Sequence, residues 1–152
     1  MDEERKRVVE IAKSYIGTPY HHMGQIKGAG VDCLTLLLGV FGEAGLIDKI
    51  DLEYYPSDWH IHQSEERYMN GLLRYAHEVS EPKPGDIVLW KFGRCFSHGA
   101  IVVEWPLVIH AYTGKTCGYE DALAAAWLTH VGENTTEQGK RRPVKFFSYW
   151  VE

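Results

Sequence analysis

The chain has 152 residues, of which 45% are hydrophobic and 24% charged, and it carries a net charge of -5. That length suits one domain, 1–152, able to bury about two thirds of the surface its unfolded form exposes, and the composition excludes a disordered chain. The acidic balance also excludes a phosphate-backbone binder, because such proteins carry a basic stripe that releases counterions.

The N-terminus, MDEERKRVVEIAKSYIG, places Val8, Val9, Ile11, Ala12, Tyr15 and Ile16 at helical spacing, with Gly17 as C-cap and Pro19 beyond it. A helix over about residues 3–16 is expected. The same segment lacks the continuous apolar stretch of a signal peptide, and nothing approaches the roughly 18 apolar residues of a membrane span. The expectation is a soluble chain, cytoplasmic at synthesis, with neither membrane nor nucleic acid as a partner. The next stretch, TPYHHMGQIKGAGV, reads as a Gly-punctuated loop. It is no phosphate loop, since no GK[ST] closes it and no strand clearly precedes it.

A second helix starts at Asp32 or Cys33 and ends near Ala44, with Gly45 at its boundary. Leu34, Leu36, Leu37, Leu38, Val40 and Phe41 cover nearly every direction of its surface, so it is expected to be buried on most sides. DLEYYPSDW reads as loop, and Tyr68, Leu72, Leu73, Tyr75, Ala76 and Val79 suggest a third amphipathic helix over roughly 64–78. The turn EPKPGD then opens into the strand IVLWKF, followed by GAIVVEW around 99–105 and LVIHAY around 107–112, joined through Pro106 as a tight hairpin. EDALAAAWLTHV suggests a short helix, and VKFFSYWV a closing strand. The basic cluster between them, GKRRPVK at 139–145, reads as a solvated loop. Helices first and antiparallel strands after give an α+β fold.

Chemistry concentrates at Cys33. Asp32 fits an N-cap, its carboxylate accepting the orphan N–H groups of the first turn. Cys33 then occupies the first helical position, where the helix dipole and unsatisfied N–H groups favour thiolate over thiol; the N-terminal N–H is also a natural oxyanion donor. A lone Cys is usually a small buried hydrophobe, so a partner must carry the case. A cysteine nucleophile needs a base and a group to orient that base. His98 stands where a polar loop enters a strand, and His110 lies on the next strand of the hairpin, within side-chain reach across an antiparallel pair.

These segments taken in order, GTPYHHMGQIKGAGVDC, KPGDIVLW, SHGAIVV and VIHAY, resemble the NlpC/P60 family of cysteine peptidases over about residues 5–112. The resemblance implies a papain-like core with the Cys-bearing helix packed on an antiparallel sheet. It implies Cys33 as nucleophile, His98 as base and His110 as the residue orienting His98, with Tyr20 and Asp32 near the reacting centre. His21 and His22, beside Tyr20, are further candidates for the substrate cleft. The implied substrate is a peptidoglycan stem peptide, cut at an amide such as that between D-γ-glutamyl and a diamino acid. The chain departs from the common pattern in reading D-C-L-T where many relatives have D-C-S-G, with Gln25 where a second Gly is common. The D-C-L form resembles compact versions from phage tails and gene transfer agents, which implies tail proteins as partners and delivery to the wall by the tail.

No cofactor is implied. His60 and His62 share a face if WHIHQ is a strand, but no third metal ligand is in view and a solvated loop is the better reading. Three cysteines, Cys33, Cys95 and Cys117, cannot all pair and show no C-x-x-C spacing, so reduced thiols are expected, with Cys95 and Cys117 as bystanders. Rival readings are a non-catalytic structural tail component, a metal module on Cys33, His98 and His110, and a related amidase or acyltransferase.

Overall fold

Two helices and an antiparallel sheet make up an α+β fold in this computed structural model, which describes residues 2–47, 74, 76–92, 95–112, 114–125 and 141–151. Helix α1, Glu3–Ser14, begins where Asp2 accepts a hydrogen bond from the Glu4 amide, with Glu3 and Glu4 in the first turn and Lys13 in the last, both matched to the helix dipole. A two-stranded ribbon follows, β1 at Gln25–Ile26 and β2 at Gly30–Val31. Helix α2, Cys33–Glu43, comes directly after it.

The main sheet has six strands in the order β3-β8-β4-β5-β6-β7, every pair antiparallel. These are β3 His77–Val79, β4 Ile87–Phe92, β5 Cys95–Glu104, β6 Leu107–His110, β7 Gly118–Asp121 and β8 Val144–Ser148. Alternation along β4, β5 and β6 divides their side chains between two apolar clusters. Ile87, Leu89, Ile101 and Ile109 join Val8, Leu36, Val40 and Phe41 of the two helices, while Val88, Trp90, Ala100, Val102 and Val108 form the other. Leu36, Leu37, Val40 and Phe41 are each at most 1% exposed, and burying one such side chain is worth about 1.5–3 kcal/mol. α2 is therefore held by its apolar length, which leaves its N-terminus to do chemistry. Helix α1 closes on α2 at Gly39, where a Cβ would collide with the hydroxyl of Tyr15.

The turn KPGD anchors the sheet to α1. Gly85 has φ +90, a conformation that favours glycine, and a Cβ there would crowd the Trp150 ring at 3.1 Å. Its neighbour Asp86 accepts from Arg5 Nη1 at 2.9 Å and from the Lys83 amide at 2.8 Å. Arg5 also donates to the Pro84 carbonyl at 2.8 Å and stacks over Trp150, its Cζ 4.3 Å from the ring centroid.

Several expectations are corrected. The stretch around Gly24 and Gly30 is a ribbon, because Gly30 lets His21 pack against its backbone: a Cβ at Gly30 would lie 2.5 Å from that of His21. The expected third helix cannot reach residue 78, since His77–Val79 pair with Phe146–Ser148 of β8; positions 64–73 lie outside the described residues. The helix expected from Glu120 does not start there, since Gly118–Asp121 pair with β6 and Asp121 then caps a turn through the amides of Leu123 and Ala124; residues 126–131 lie outside the described set. β5 starts at Cys95, not 99, so His98 lies within the strand. The basic cluster is not simply solvated: Arg142 lies 3.8 Å over the Phe92 ring and Lys145 5.2 Å over that of Phe96, with 139 and 140 outside the described residues. His60, His62, His130 and the side chain of Cys95 also lie outside them.

Candidate active site

Helix α2 starts abruptly because Asp32 and Thr35 cap it reciprocally. Asp32 Oδ1 accepts from the Thr35 amide at 2.9 Å, and Thr35 Oγ1 accepts from the Asp32 amide at 2.8 Å, the arrangement of a capping box. The other carboxylate oxygen accepts from the Met23 amide at 2.9 Å and stands 3.8 Å from His22 Nδ1. To deliver that amide, Met23 takes φ 63, a left-handed conformation that a side chain adopts only under constraint. Buried Asp32 thus fixes both the first turn of α2 and the loop carrying His21 and His22.

Cys33 is the first helical residue and is half-buried. Its Sγ lies 3.6 Å from the Ser97 carbonyl, the residue immediately before His98. The sulfur therefore sits at the positive end of α2 and against β5 where β5 carries its histidine. β5 is irregular at this point: Trp90 pairs with His98 but Lys91 pairs with Phe96, leaving Ser97 as the extra residue of a bulge. Bulges re-aim side chains and recur beside active sites.

His98 Nε2 lies 2.9 Å from His110 Nδ1, and both residues are 5% exposed. The pairing follows from register. Ile101 opposite Ile109 and Val102 opposite Val108 put His98 and His110 on a cross-strand diagonal, within reach of long side chains. Aromatic rings wall in His98: Trp90 and Phe92 at 5.6 Å and Tyr112 at 5.2 Å between centroids. Burial, assisted by the Lys115 cation, lowers the pKa of His110 to about 4. At neutral pH His110 is an uncharged imidazole.

Tyr20 is half-buried, bridges to Val31 at the end of the ribbon, and packs against the same apolar cluster as Cys33. His22 is half-buried beside Asp32, whereas exposed His21 turns Nδ1 to its neighbour's carbonyl, 3.1 Å away. Cys117 is 1% exposed and burial pushes its thiol up to about 12, so it is a packing residue. Among the described residues no cluster of His, Cys, Asp and Glu has the geometry to hold a metal. The sequence reasoning missed the aromatic walls, although Trp90 and Phe92 alternate along IVLWKF and Tyr112 follows His110 by two residues. It also missed Glu120, whose Oε1 lies 3.9 Å from His110 Nε2 and for which a polar GYED segment offers no local signal.

The model of the NlpC/P60 family matches residues 17–135. No curated protein sequence matches the chain. Among solved structures, the NlpC/p60 domain of the peptidoglycan hydrolase SagA is 19% identical, with a TM-score of 0.56 over 93% of this chain and 96% of that one. NlpC1 from Trichomonas vaginalis gives a TM-score of 0.64 at 16% identity, covering 98% of this chain but 45% of its own length. RipD from Mycobacterium tuberculosis, a non-catalytic NlpC/p60 domain protein adapted to peptidoglycan binding, is 12% identical with a TM-score of 0.55. At these identities the likeness is one of fold, whereas the family match spans most of the sequence. The chain therefore belongs to the NlpC/P60 family, whose members are mostly cysteine peptidases acting on peptidoglycan and include non-catalytic forms.

Proposed function

We propose that the protein is a cysteine peptidase that hydrolyses amide bonds in peptidoglycan stem peptides, with the D-γ-glutamyl–diamino acid bond as its target. The observation that carries this reading is the convergence of three elements: Cys33 at the start of α2, its sulfur 3.6 Å from the carbonyl before His98, and His98 held 2.9 Å from His110. A non-catalytic wall-binding domain, as RipD is, has no need of a buried pair of imidazoles beside a thiol at a helix N-terminus.

In this reading Cys33 gives its proton to Nδ1 of His98, because His98 Nε2 is engaged by His110. The sulfur attacks the amide carbon, and the positive end of α2 stabilises the charge that develops on the carbonyl oxygen. His98 passes its proton to the leaving amine as the C–N bond breaks, leaving a thioester on Cys33. Water then attacks the thioester with His98 as base, releasing the carboxylic acid and restoring the thiol. General acid–base help of this kind contributes on the order of a hundred- to ten-thousandfold. Tyr20, His21, His22 and Asp32 border the peptide-binding side, Asp32 by fixing the loop. The D-C-L-T form at 32–35 suits a compact enzyme carried to the wall by a phage tail.

Digestion of purified peptidoglycan followed by mass analysis of the fragments tests this proposal and names the bond. Wild-type protein should release stem-peptide fragments that Cys33→Ala does not. Identical fragment patterns from the two proteins would refute the reading.

A further inference from the structure

Glu120 stands on β7 opposite Val108, two residues from the position facing His110, so register places it on a diagonal from that histidine. Its carboxylate is a quarter exposed and its Oε1 is 3.9 Å from Nε2 of His110, whose side chain is 6% exposed. This contact decides something the two histidines cannot decide between themselves. When both imidazoles are neutral, a pair 2.9 Å apart shares a single proton along its hydrogen bond, so either His98 Nε2 or His110 Nδ1 is the donor.

If His110 Nδ1 donated, the bare Nε2 lone pair of His110 would face the Glu120 carboxylate, a repulsive arrangement. If His110 carries its proton on Nε2, the N–H is on the nitrogen nearest the carboxylate, His110 Nδ1 becomes the acceptor, and His98 donates from Nε2. The remaining nitrogen of His98, Nδ1, is then a bare base. Lys115, the charged group that with burial lowers the His110 pKa, is a cation with no acceptor to offer; it opposes an imidazolium and keeps the choice one between neutral tautomers. The Tyr112 ring also flanks His110, its centroid 6.5 Å away. A separation of 3.9 Å is longer than a direct hydrogen bond and matches an electrostatic or water-bridged contact, of the kind that tightens when substrate binds.

We infer that Glu120 is a positioning residue that fixes the tautomer of His110 and thereby leaves Nδ1 of His98 as the atom that takes the proton of Cys33. No proton leaves or reaches Glu120 in this scheme: the thiol proton moves to His98 Nδ1, and the two N–H groups behind it, on His98 Nε2 and His110 Nε2, stay in place. The role rests on the reading of His98 as base.

Nitrogen-15 NMR of histidine-labelled protein at neutral pH, together with the pH dependence of Cys33 alkylation by iodoacetamide, tests it without peptidoglycan. In the wild type the His110 proton should sit on Nε2. In Glu120→Gln and Glu120→Ala it should redistribute to Nδ1, and alkylation should slow on the order of tenfold or more, as when a partner orienting a functional imidazole is lost. A wild-type His110 protonated on Nδ1, or variants that change neither tautomer nor alkylation, would overturn the inference. Should a variant fail to fold, the wild-type spectrum alone decides. Absence of wall fragments with the tautomer as described would count against the peptidase reading and leave the role of Glu120 standing.

Discussion

Nε2 of His98 and Nδ1 of His110 lie 2.9 Å apart inside the sheet, an approach set by the register of β5 and β6. His110 acts on the reaction through His98, so its replacement should impair the reaction without abolishing it. His110→Gln is expected to lower kcat for fragment release by on the order of a hundredfold while leaving KM nearly unchanged, whereas His98→Ala should remove activity. Steady-state kinetics on a soluble stem peptide measure the split.

The same buried histidine predicts how stability depends on pH. Its folded-state pKa of about 4 lies below the ordinary 6.5, so the unfolded chain takes up the proton first. The neutral form's contribution is fully present above pH 6.5 and is lost as pH falls toward 4, amounting to no more than about 3 kcal/mol. Urea midpoints measured across that window should fall with acidification in the wild type and fall less in His110→Gln.

The ion pair between Arg5 and Asp86 is buried, with side chains 5% and 2% exposed. Removing one partner strands a charge, so Arg5→Met is expected to cost about 3–5 kcal/mol, and Arg5→Met combined with Asp86→Asn to recover part of it. Denaturant titration checks both, and Cys33 alkylation in the folded protein should be unchanged.

Asp32 ties the nucleophile's helix to the Met23 loop through both carboxylate oxygens. Asp32→Ala should cost about 0.5–2 kcal/mol through the lost cap, and it should also slow reactions of Cys33, because the first turn and the loop lose their common anchor. Thermal unfolding reads the first effect and thiol alkylation the second.

Much of this arrangement is legible in the residues alone. Asp32 precedes Cys33 as an N-cap, an apolar run follows, and 98 and 110 fall on either side of a two-residue turn. These signals are local, and each has one dominant physical reading. β1, β3 and β7 are not legible in that way. They have two to four residues, their side chains are mostly exposed, and they exist because a neighbour offers a backbone to pair with. The end of the expected third helix fails for the same reason: His77–Val79 pair with β8, whose residues lie 67 positions further along the chain at Val79↔Phe146 and 71 at His77↔Ser148. Glu120 escapes because its relation to His110 arises only after β7 docks on β6.

Selective alkylation is the most direct test of whether Cys33 is a nucleophile activated by His98. Iodoacetamide at neutral pH, with peptide mapping over time, should label Cys33 first and leave Cys117 unmodified, its thiol being pushed up to about 12. His98→Ala should slow the labelling of Cys33 to the rate of an ordinary thiol. Labelling of Cys33 no faster than an ordinary thiol, or a rate that His98→Ala leaves unchanged, would contradict the account.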